Sequence, residues 1–513
     1  MVMGGLLAGE ASAATIEIGP ADDLPGTIAS LAPGDVLVLQ GGTYNINQLF
    51  TISLVATEAM PIVIVAKDGE VPIITRPDAN QNVINIEDSE YLELRGLEVM
   101  GGSHGIRIRE SSFITVEGCH IHDTADVAIS ANFGGSVYEG LRILRNHIHD
   151  TNGTGEGMYL GCNNAGCEMF NSLIEGNYIH DLDTNVSQGD GIEIKEGSHD
   201  NVVRDNVIHD TNYPCIITYS AAGNGGPNII ERNVLWGCGD HAIQSAADSV
   251  IRNNIILGAN ADGIRGQLHQ SGQPSNMVIV HNTIVVPNND ALRLNDINGS
   301  VVIANNALFT DGANALRIGG PDLSGVTVAG NAVYGGTQGI SGGTFDVADL
   351  VTAFVDASFS GSVPNDVFPA VGSPLTAAGD AAHVPTDDFN GTPRNGEADV
   401  GAYAYDPNGN PGWTLAPEPK AIDPMGGVGG GGASGVGGGG GDGGAGAGAG
   451  AGAVTGTGAG AGAGTGGNGA NGGGDDEGCG CRLVGAPRGG SSLGWIAAVA
   501  LGVVGLRRAR SRR

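Results

Sequence analysis

Two short segments place acid, amine and phenol groups at spacings that chemistry can use: Gly155-Glu156-Gly157-Met158-Tyr159 and Gln188-Gly189-Asp190-Gly191-Ile192-Glu193-Ile194-Lys195. Each has an acid two residues before an apolar-x-apolar triplet, so Glu156 and Asp190 hold equivalent positions of consecutive repeats. Carboxylates about 5 Å apart can share a Ca²⁺, which takes about six to eight oxygens, or can split their pKa values for acid/base work. Glu156, Asp190 and Glu193 are therefore candidate cation ligands. Lys195 is a candidate base for a proton next to a sugar carboxylate that a cation or Arg has neutralised, which is what β-elimination requires. Tyr219, one repeat on, is a candidate proton donor. As an outward strand position, Lys195 is expected to face solvent.

These groups must be held by a repeat. Cys119, Asn146, Asn177, Asn206, Asn233, Asn254, Asn282, Asn306 and Asn331 recur every 21 to 31 residues, each with an apolar residue three before it and another two after it. A unit that short buries its apolar side only by stacking on its neighbours, as in a solenoid. Between the rungs lies a second strand of the form small-apolar-x-apolar, as in Gly105-Ile106-Arg107-Ile108 and Ala291-Leu292-Arg293-Leu294. Apolar runs of three to five residues alternating with Gly, Asn and Asp exclude a helical repeat and predict an all-β parallel solenoid with strands about 4.8 Å apart.

Aligning the second strands gives one outward column, Arg107, Ser130, Tyr159, Glu193, Ile217, Gln244, Arg265, Arg293 and Arg317. Two residues on is another with Arg109, Lys195, Tyr219, Gln267 and Asn295. Arg suits the carboxylates of an acidic polysaccharide and Tyr its sugar faces, so Arg107, Arg109, Tyr159, Gln244, Arg265, Arg293 and Arg317 are candidate substrate contacts. The alternative is a solvated strand face with Arg stems over apolar neighbours. The repeated Ile-His-Asp at His122, His149, His180 and His209 predicts a stacking ladder with Asp fixing each tautomer rather than a metal site, because residues in one line do not converge on a tetrahedral ion.

With these features the chain resembles the right-handed parallel β-helix family of pectate-lyase-like proteins, over roughly Thr15 to Tyr405. Pro33-Gly34-Asp35-Val36 with Gly42-Thr43-Tyr44 resembles that family's N-terminal cap. Gly372-Ser373-Pro374, Asp388-Phe389-Asn390-Gly391-Thr392-Pro393-Arg394 and Asp399-Val400-Gly401-Ala402-Tyr403 resemble its closing segment. The resemblance implies a single-stranded β-helix with short caps, and a helix is predicted at Val347 to Phe354, with Leu350, Val351 and Phe354 on one face. The run Glu193-Ile194-Lys195-Glu196-Gly197-Ser198, with Asn201 and Asn206, is similar to the acidic-plus-lysine segment of alginate- and chondroitin-type lyases. That likeness implies Lys195 as base and Asp190 and Glu193 as cation ligands. Those enzymes carry an Arg on the next coil, whereas Cys215 to Ser220 here contains none.

The flanks point to export. Residues 1–13 are short, apolar and end in Ala11-Ser12-Ala13, a small-x-small cleavage pattern without a basic start, read as a truncated signal peptide. Residues 406–474 are expected to be a disordered linker, Gly/Ala-rich from about 426. Residues 475–513 contain Cys479 and Cys481, an apolar run of 14 residues from Leu493 to Leu506 and the basic end Arg507 to Arg513. This tripartite end resembles the Cys-containing C-terminal sorting tags of myxobacteria, which implies a membrane contact through the tag with Cys479 or Cys481 processed. The alternative is a weak membrane helix that remains in place. Lys and Arg total 23 against 55 acidic residues, which argues against nucleic acid as a partner. Cys162 with Cys167 and Cys215 with Cys238 are placed for disulfides in an oxidising compartment; zinc is disfavoured by the missing C-x-x-C pairs. The expectation is an exported, surface-displayed monomer that binds or degrades an acidic polysaccharide, a Ca²⁺-assisted lyase being its most concrete enzymatic form. A noncatalytic carbohydrate-binding or adhesive protein and a glycoside hydrolase using Glu156 and Asp190 stay open.

Overall fold

The computed structural model describes residues 13–270 and 272–422. Residues 1–12 of the expected signal segment, the Gly/Ala-rich stretch and the tail with Cys479 and Cys481 lie outside them. The described chain is an all-β, right-handed parallel solenoid of about 11 turns, as the repeat predicts.

Each turn supplies three short strands. In the turn carrying Lys195 these are Leu173–Glu175, Tyr178–His180 and Ile192–Ile194. Stacked on their equivalents they make three strand columns, the first running unbroken from Thr15–Ile18 to Val326–Ala329. The register follows the apolar positions of the sequence. Ile143, Ile174, Val203, Ile230, Ile251, Ile279 and Ile303 pair in succession, each at most 1% exposed. Burying each contributes on the order of 1.5–3 kcal/mol, and a one-residue slip would turn the whole row outward.

The Asn rungs sit at the bend between the first two columns and close its hydrogen bonding. Asn206 donates its backbone N–H and Nδ2 to Asn233 Oδ1 (3.0 and 2.9 Å) and Nδ2 also to the Ile174 carbonyl (3.1 Å). Its own Oδ1 accepts the Asn177 N–H and Nδ2, both at 2.9 Å. The pattern repeats up to Asn331. A shorter ladder at a second bend, Ser172, Asn201 and Asn228, does the same work and was not anticipated from the sequence.

The Ile-His-Asp motif is explained locally. The Ile is buried, the His points outward, and the Asp takes a left-handed conformation (φ 53, 52, 53 and 52° at Asp123, Asp150, Asp181 and Asp210), which its short side chain tolerates. From there each carboxylate accepts the Nδ1–H of its own His at 2.7–2.8 Å. The four rings stack 5.1 Å apart and continue onto Trp236, so the expected ladder forms.

Both ends of the core are covered. Leu24–Ile28 caps the first turn with Leu24 and Ile28 buried. At the other end the helix Leu350–Ala353 lies inside the predicted span but is a single turn, so Leu350 and Phe354 are buried while Val351, predicted on their face, is 80% exposed. In the closing segment Arg394, 2% exposed, donates to the carbonyls of Asp387, Asp399, Gly401, Ala402 and Tyr403. The chain then departs from the expected linker. Residues 406–422 run back over the solenoid: Tyr178 donates its hydroxyl to the Pro417 carbonyl at 2.9 Å. Lys420, 5% exposed, meets Asp205 Oδ1 at 2.8 Å and the Phe389 carbonyl at 2.7 Å. Composition alone reads this Pro-rich stretch as linker because its anchor is one Lys with distant partners.

Candidate active site

The third strand column forms the outward row that the sequence alignment predicts, residue for residue. Arg107, Ser130, Tyr159, Glu193, Ile217, Gln244, Arg265, Arg293 and Arg317 pair in unbroken register. The row is far less exposed than outward strand positions usually are. Ser130, Glu193, Ile217, Gln244 and Arg265 are all buried.

Its centre is the cluster predicted from the two segments. Glu156 and Asp190 precede the paired strands Met158–Leu160 and Ile192–Ile194, one turn apart. Ligand oxygens of Glu156, Asp190 and Glu193 lie within 4.8 Å of one another, and all three residues are buried. Lys195 follows on the same strand line, its Nζ 2.5 Å from Glu193 Oε1 and 4.6 and 5.1 Å from the ring centroids of Tyr159 and Tyr219. Tyr219 donates its hydroxyl to that same Oε1 at 3.1 Å. Gly161 makes room for this: its φ is +90°, and a Cβ there would stand 3.0 Å from the Lys195 Cβ and 2.8 Å from the Ser198 hydroxyl oxygen.

Lys195 is not solvent-facing. It is 3% exposed, enclosed by the two Tyr rings and by Glu193. The His269 ring stands 5.0 Å from Tyr219, and Gly272 lies against Ser220 and Ala246, so the chain around them roofs the turn after Lys195. Tyr159 and His269 are the half-buried members of this group.

The electrostatics are those of an excess of buried negative charge. Burial, then the Glu193 charge, pushes the Glu156 carboxyl up to about 7. Burial, then Glu193 and Glu156, raises Asp190 well above the carboxylate range. Burial pulls the Lys195 ammonium down, but Glu193, Tyr159 and Asp190 more than offset it and hold it protonated. Burial raises the Tyr159 phenol to about 12. Glu156 Oε1 and Glu193 Oε2 are buried with no hydrogen-bond partner, while Thr154 holds Glu156 Oε2 at 2.5 Å. Unpaired, buried carboxylate oxygens converging with no nitrogen or sulfur among them fit a hard cation such as Ca²⁺.

The basic stripe has its charges largely matched. Arg265 pairs with Asp262 at 3.1 Å and with Gln267 at 2.7 Å. Arg293 stands 3.8 and 3.9 Å from Asp290 and Asp262, and Arg317 stands 3.6 Å from Asp290. Asp262 and Asp290 continue the Glu156 and Asp190 line, two residues before each strand pair, a signal legible in the sequence but overlooked there. Arg109 is engaged by Glu87 at 2.9 Å and by the Phe133 ring, whereas Arg107 Nε is buried without a partner. Arg265 is three turns from Glu193, about 14 Å at the strand spacing, so it does not replace the Arg missing from the turn of Cys215 to Ser220. The disulfides Cys162–Cys167 and Cys215–Cys238 form as paired from the sequence.

Residues 7–225 match the family model described as the Pel9A-like right-handed β-helix region. A curated pectate lyase, PEL9 of Emericella nidulans, is 28% identical over 127 residues, covering 20% of this chain and 31% of that protein's length. Among solved structures, the pectate lyase Pel9A is 15% identical with a TM-score of 0.46, over 78% of this chain and 98% of that one. An alginate lyase from Paenibacillus sp. str. FPU-7 is 17% identical with a TM-score of 0.37, over 64% and 99%. In fold the described chain is a right-handed parallel β-helix, and its first part is similar to the Pel9A-like β-helix region.

Proposed function

We propose that the protein is a polysaccharide lyase that cleaves an acidic glycan by β-elimination at the Lys195 cluster. The observation that carries this reading is the junction of three buried carboxylates, two with unpaired oxygens, with a buried Lys between two Tyr rings. A hydrolase using Glu156 and Asp190 would need them astride a scissile bond, but both are buried at the edge of the strand row beside Glu193, an arrangement that suits a shared cation better. The similarity to a pectate lyase points the same way. The two disulfides support an oxidising, extracytoplasmic setting, and the C-terminal tag supports display at the cell surface.

In this mechanism Glu156, Asp190 and Glu193 would hold Ca²⁺, which would supply positive charge against the carboxylates around Lys195 and beside the substrate carboxylate. Neutral Lys195 takes the proton from the carbon bearing the uronate carboxylate. The electron pair becomes the new C=C bond as the glycosidic C–O bond breaks, and Tyr219 gives its hydroxyl proton to the departing oxygen. Tyr159 lines the entry, its ring offered to a sugar face. Arg293 and Arg317, the more exposed of the row, lie where a long chain would extend.

The test is to incubate the protein with uronate-containing and neutral glycans, with and without Ca²⁺. Near-ultraviolet absorbance from the new double bond is the expected result. Reducing ends without absorbance would mean hydrolysis, and binding without either would mean a noncatalytic module.

Ca²⁺ is also expected to raise Tm, by the equivalent of about 2.7 kcal/mol at a hundredfold excess over Kd. The gain should be larger at pH 8 than at pH 5. Glu156 binds its proton more tightly in the folded chain (about 7) than unfolded (4.5), so the calcium-free fold loses stability as pH rises between those values. At pH 5 protons compete for the site. Equal gains for wild type and Asp190→Asn would remove Asp190 from the ligands.

A further inference from the structure

The outward side of the second strand column carries two rows of rings, where the Ile-His-Asp repeat shows only one. Glu98, His120, His147 and Tyr178 pair in register, and beside them so do Met100, His122, His149 and His180. His120 and His122 share one strand with the buried Ile121 between them, so both face outward, their ring centroids 4.2 Å apart. A single line of imidazoles cannot converge on an ion, but two adjacent lines with a carboxylate at the end can.

Hydrogen bonding shows where the lone pairs are. His122 and His149 give their Nδ1–H to Asp123 and Asp150, leaving each Nε2 an acceptor. His149 Nε2 accepts the Nε2–H of His120, 2.7 Å away, which leaves the lone pair of His120 on its Nδ1. His122 Nε2 is buried without a hydrogen-bond partner and faces Glu98 Oε1, a second acceptor, at 3.5 Å; His122 itself is 9% exposed. Two opposed acceptors repel unless positive charge lies between them, and this distance is long for a shared proton. It does match two ligands of one tetrahedral ion, which at roughly 2.0–2.1 Å from Zn²⁺ stand about 3.4 Å apart. Ligand atoms of Glu98, His120 and His122 all lie within 4.8 Å of one another. Asp123 behind His122 is the outer carboxylate that metal-binding imidazoles ordinarily have.

We propose that Glu98, His120 and His122 bind one divalent transition-metal ion of the imidazole-preferring class, with Zn²⁺ as the representative, joining two consecutive turns of the solenoid. His120, His147 and His149 also converge, but both ring nitrogens of His149 are already engaged, Nδ1 by Asp150 and Nε2 by His120, whereas His120 keeps one nitrogen for a ligand bond. The site is independent of the Lys195 cluster, which belongs to the third strand column and offers only oxygen ligands.

The experiment is calorimetric titration of the full chain with ZnCl₂, beside thermal melts. Wild type is expected to bind one more Zn²⁺ than His122→Gln or Glu98→Gln, and to gain in Tm with Zn²⁺ where those variants do not. Asp123→Asn should bind about 10–100-fold more weakly. Asp190→Asn should bind Zn²⁺ as wild type does, and excess Ca²⁺ should not displace it, which separates this site from the carboxylate cluster. Cys479 and Cys481 are common to all these proteins and cancel in the comparison. Glu98 is half-buried, so its substitution should leave the circular dichroism spectrum unchanged. Wild-type stoichiometry and affinity in both His122→Gln and Glu98→Gln would overturn the assignment.

Discussion

Lys195→Ala is expected to reduce turnover on any glycan the protein degrades by on the order of a thousandfold, the usual scale for removing a general base. It should also destabilise the fold. Lys195 and Glu193 are each 2–3% exposed, and the Tyr219 hydroxyl bonds the same carboxylate oxygen. Removing the ammonium leaves the Glu193 carboxylate buried with no countercharge, and breaking a buried pair costs about 3–5 kcal/mol. Activity loss in Lys195→Ala alone is therefore ambiguous. Lys195→Arg resolves it: the guanidinium keeps a cation opposite Glu193 yet does not deprotonate at working pH. It should melt within a few degrees of wild type and remain inactive. The check is an absorbance assay on an acidic glycan with melts run in parallel. An active Lys195→Arg would sink the base assignment and move the search to Glu156 and Asp190.

The second large effect concerns the ladder. Asn206→Ala should cost about 3 kcal/mol or more in equilibrium denaturation. The substitution leaves Asn177 N–H and one Asn177 Nδ2 hydrogen without partners and removes the Nδ2 bond to the Ile174 carbonyl, at a site 0% exposed to water. Each unsatisfied buried group costs about 1–3 kcal/mol. Because each turn is held only by its neighbours, the loss should weaken the turns on both sides, among them the one carrying Lys195. Asn298→Ala, an exposed loop position, is the control and should stay within about half a kcal/mol. A midpoint for Asn206→Ala equal to the control's would mean water replaces the rung.

What a repeat determines by itself is register, and register was legible here. The Asn rungs, the flanking Ile and Val and the small-apolar-x-apolar strands each return once per turn, so aligning them in the sequence is equivalent to stacking them in space. That is why the Arg107 to Arg317 row, the one-turn separation of Glu156 and Asp190, both disulfides and the four-ring His ladder all follow from spacing. Spacing along the chain does not report what covers a face or what lies beside a column. Lys195 is an outward strand residue by pattern and is buried because the Tyr rings of its neighbouring turns close over it and the chain around His269 roofs the next turn. The Arg row is basic by composition and nearly neutral in effect, because Asp262 and Asp290 reach it from the turn before each strand. Residues 406–422 have no apolar period, yet Lys420 ties them to Asp205 across more than 200 positions of chain. His120 is two residues from His122 and looks like its mere neighbour; that its row runs beside the other, with Glu98 at the end, depends on the lateral packing of side chains on a finished sheet. One-dimensional periodicity thus decided the solenoid and which residues stack. Burial, charge pairing and the convergence of ligands arise between columns and from chain remote in sequence, so only the tertiary structure decided them.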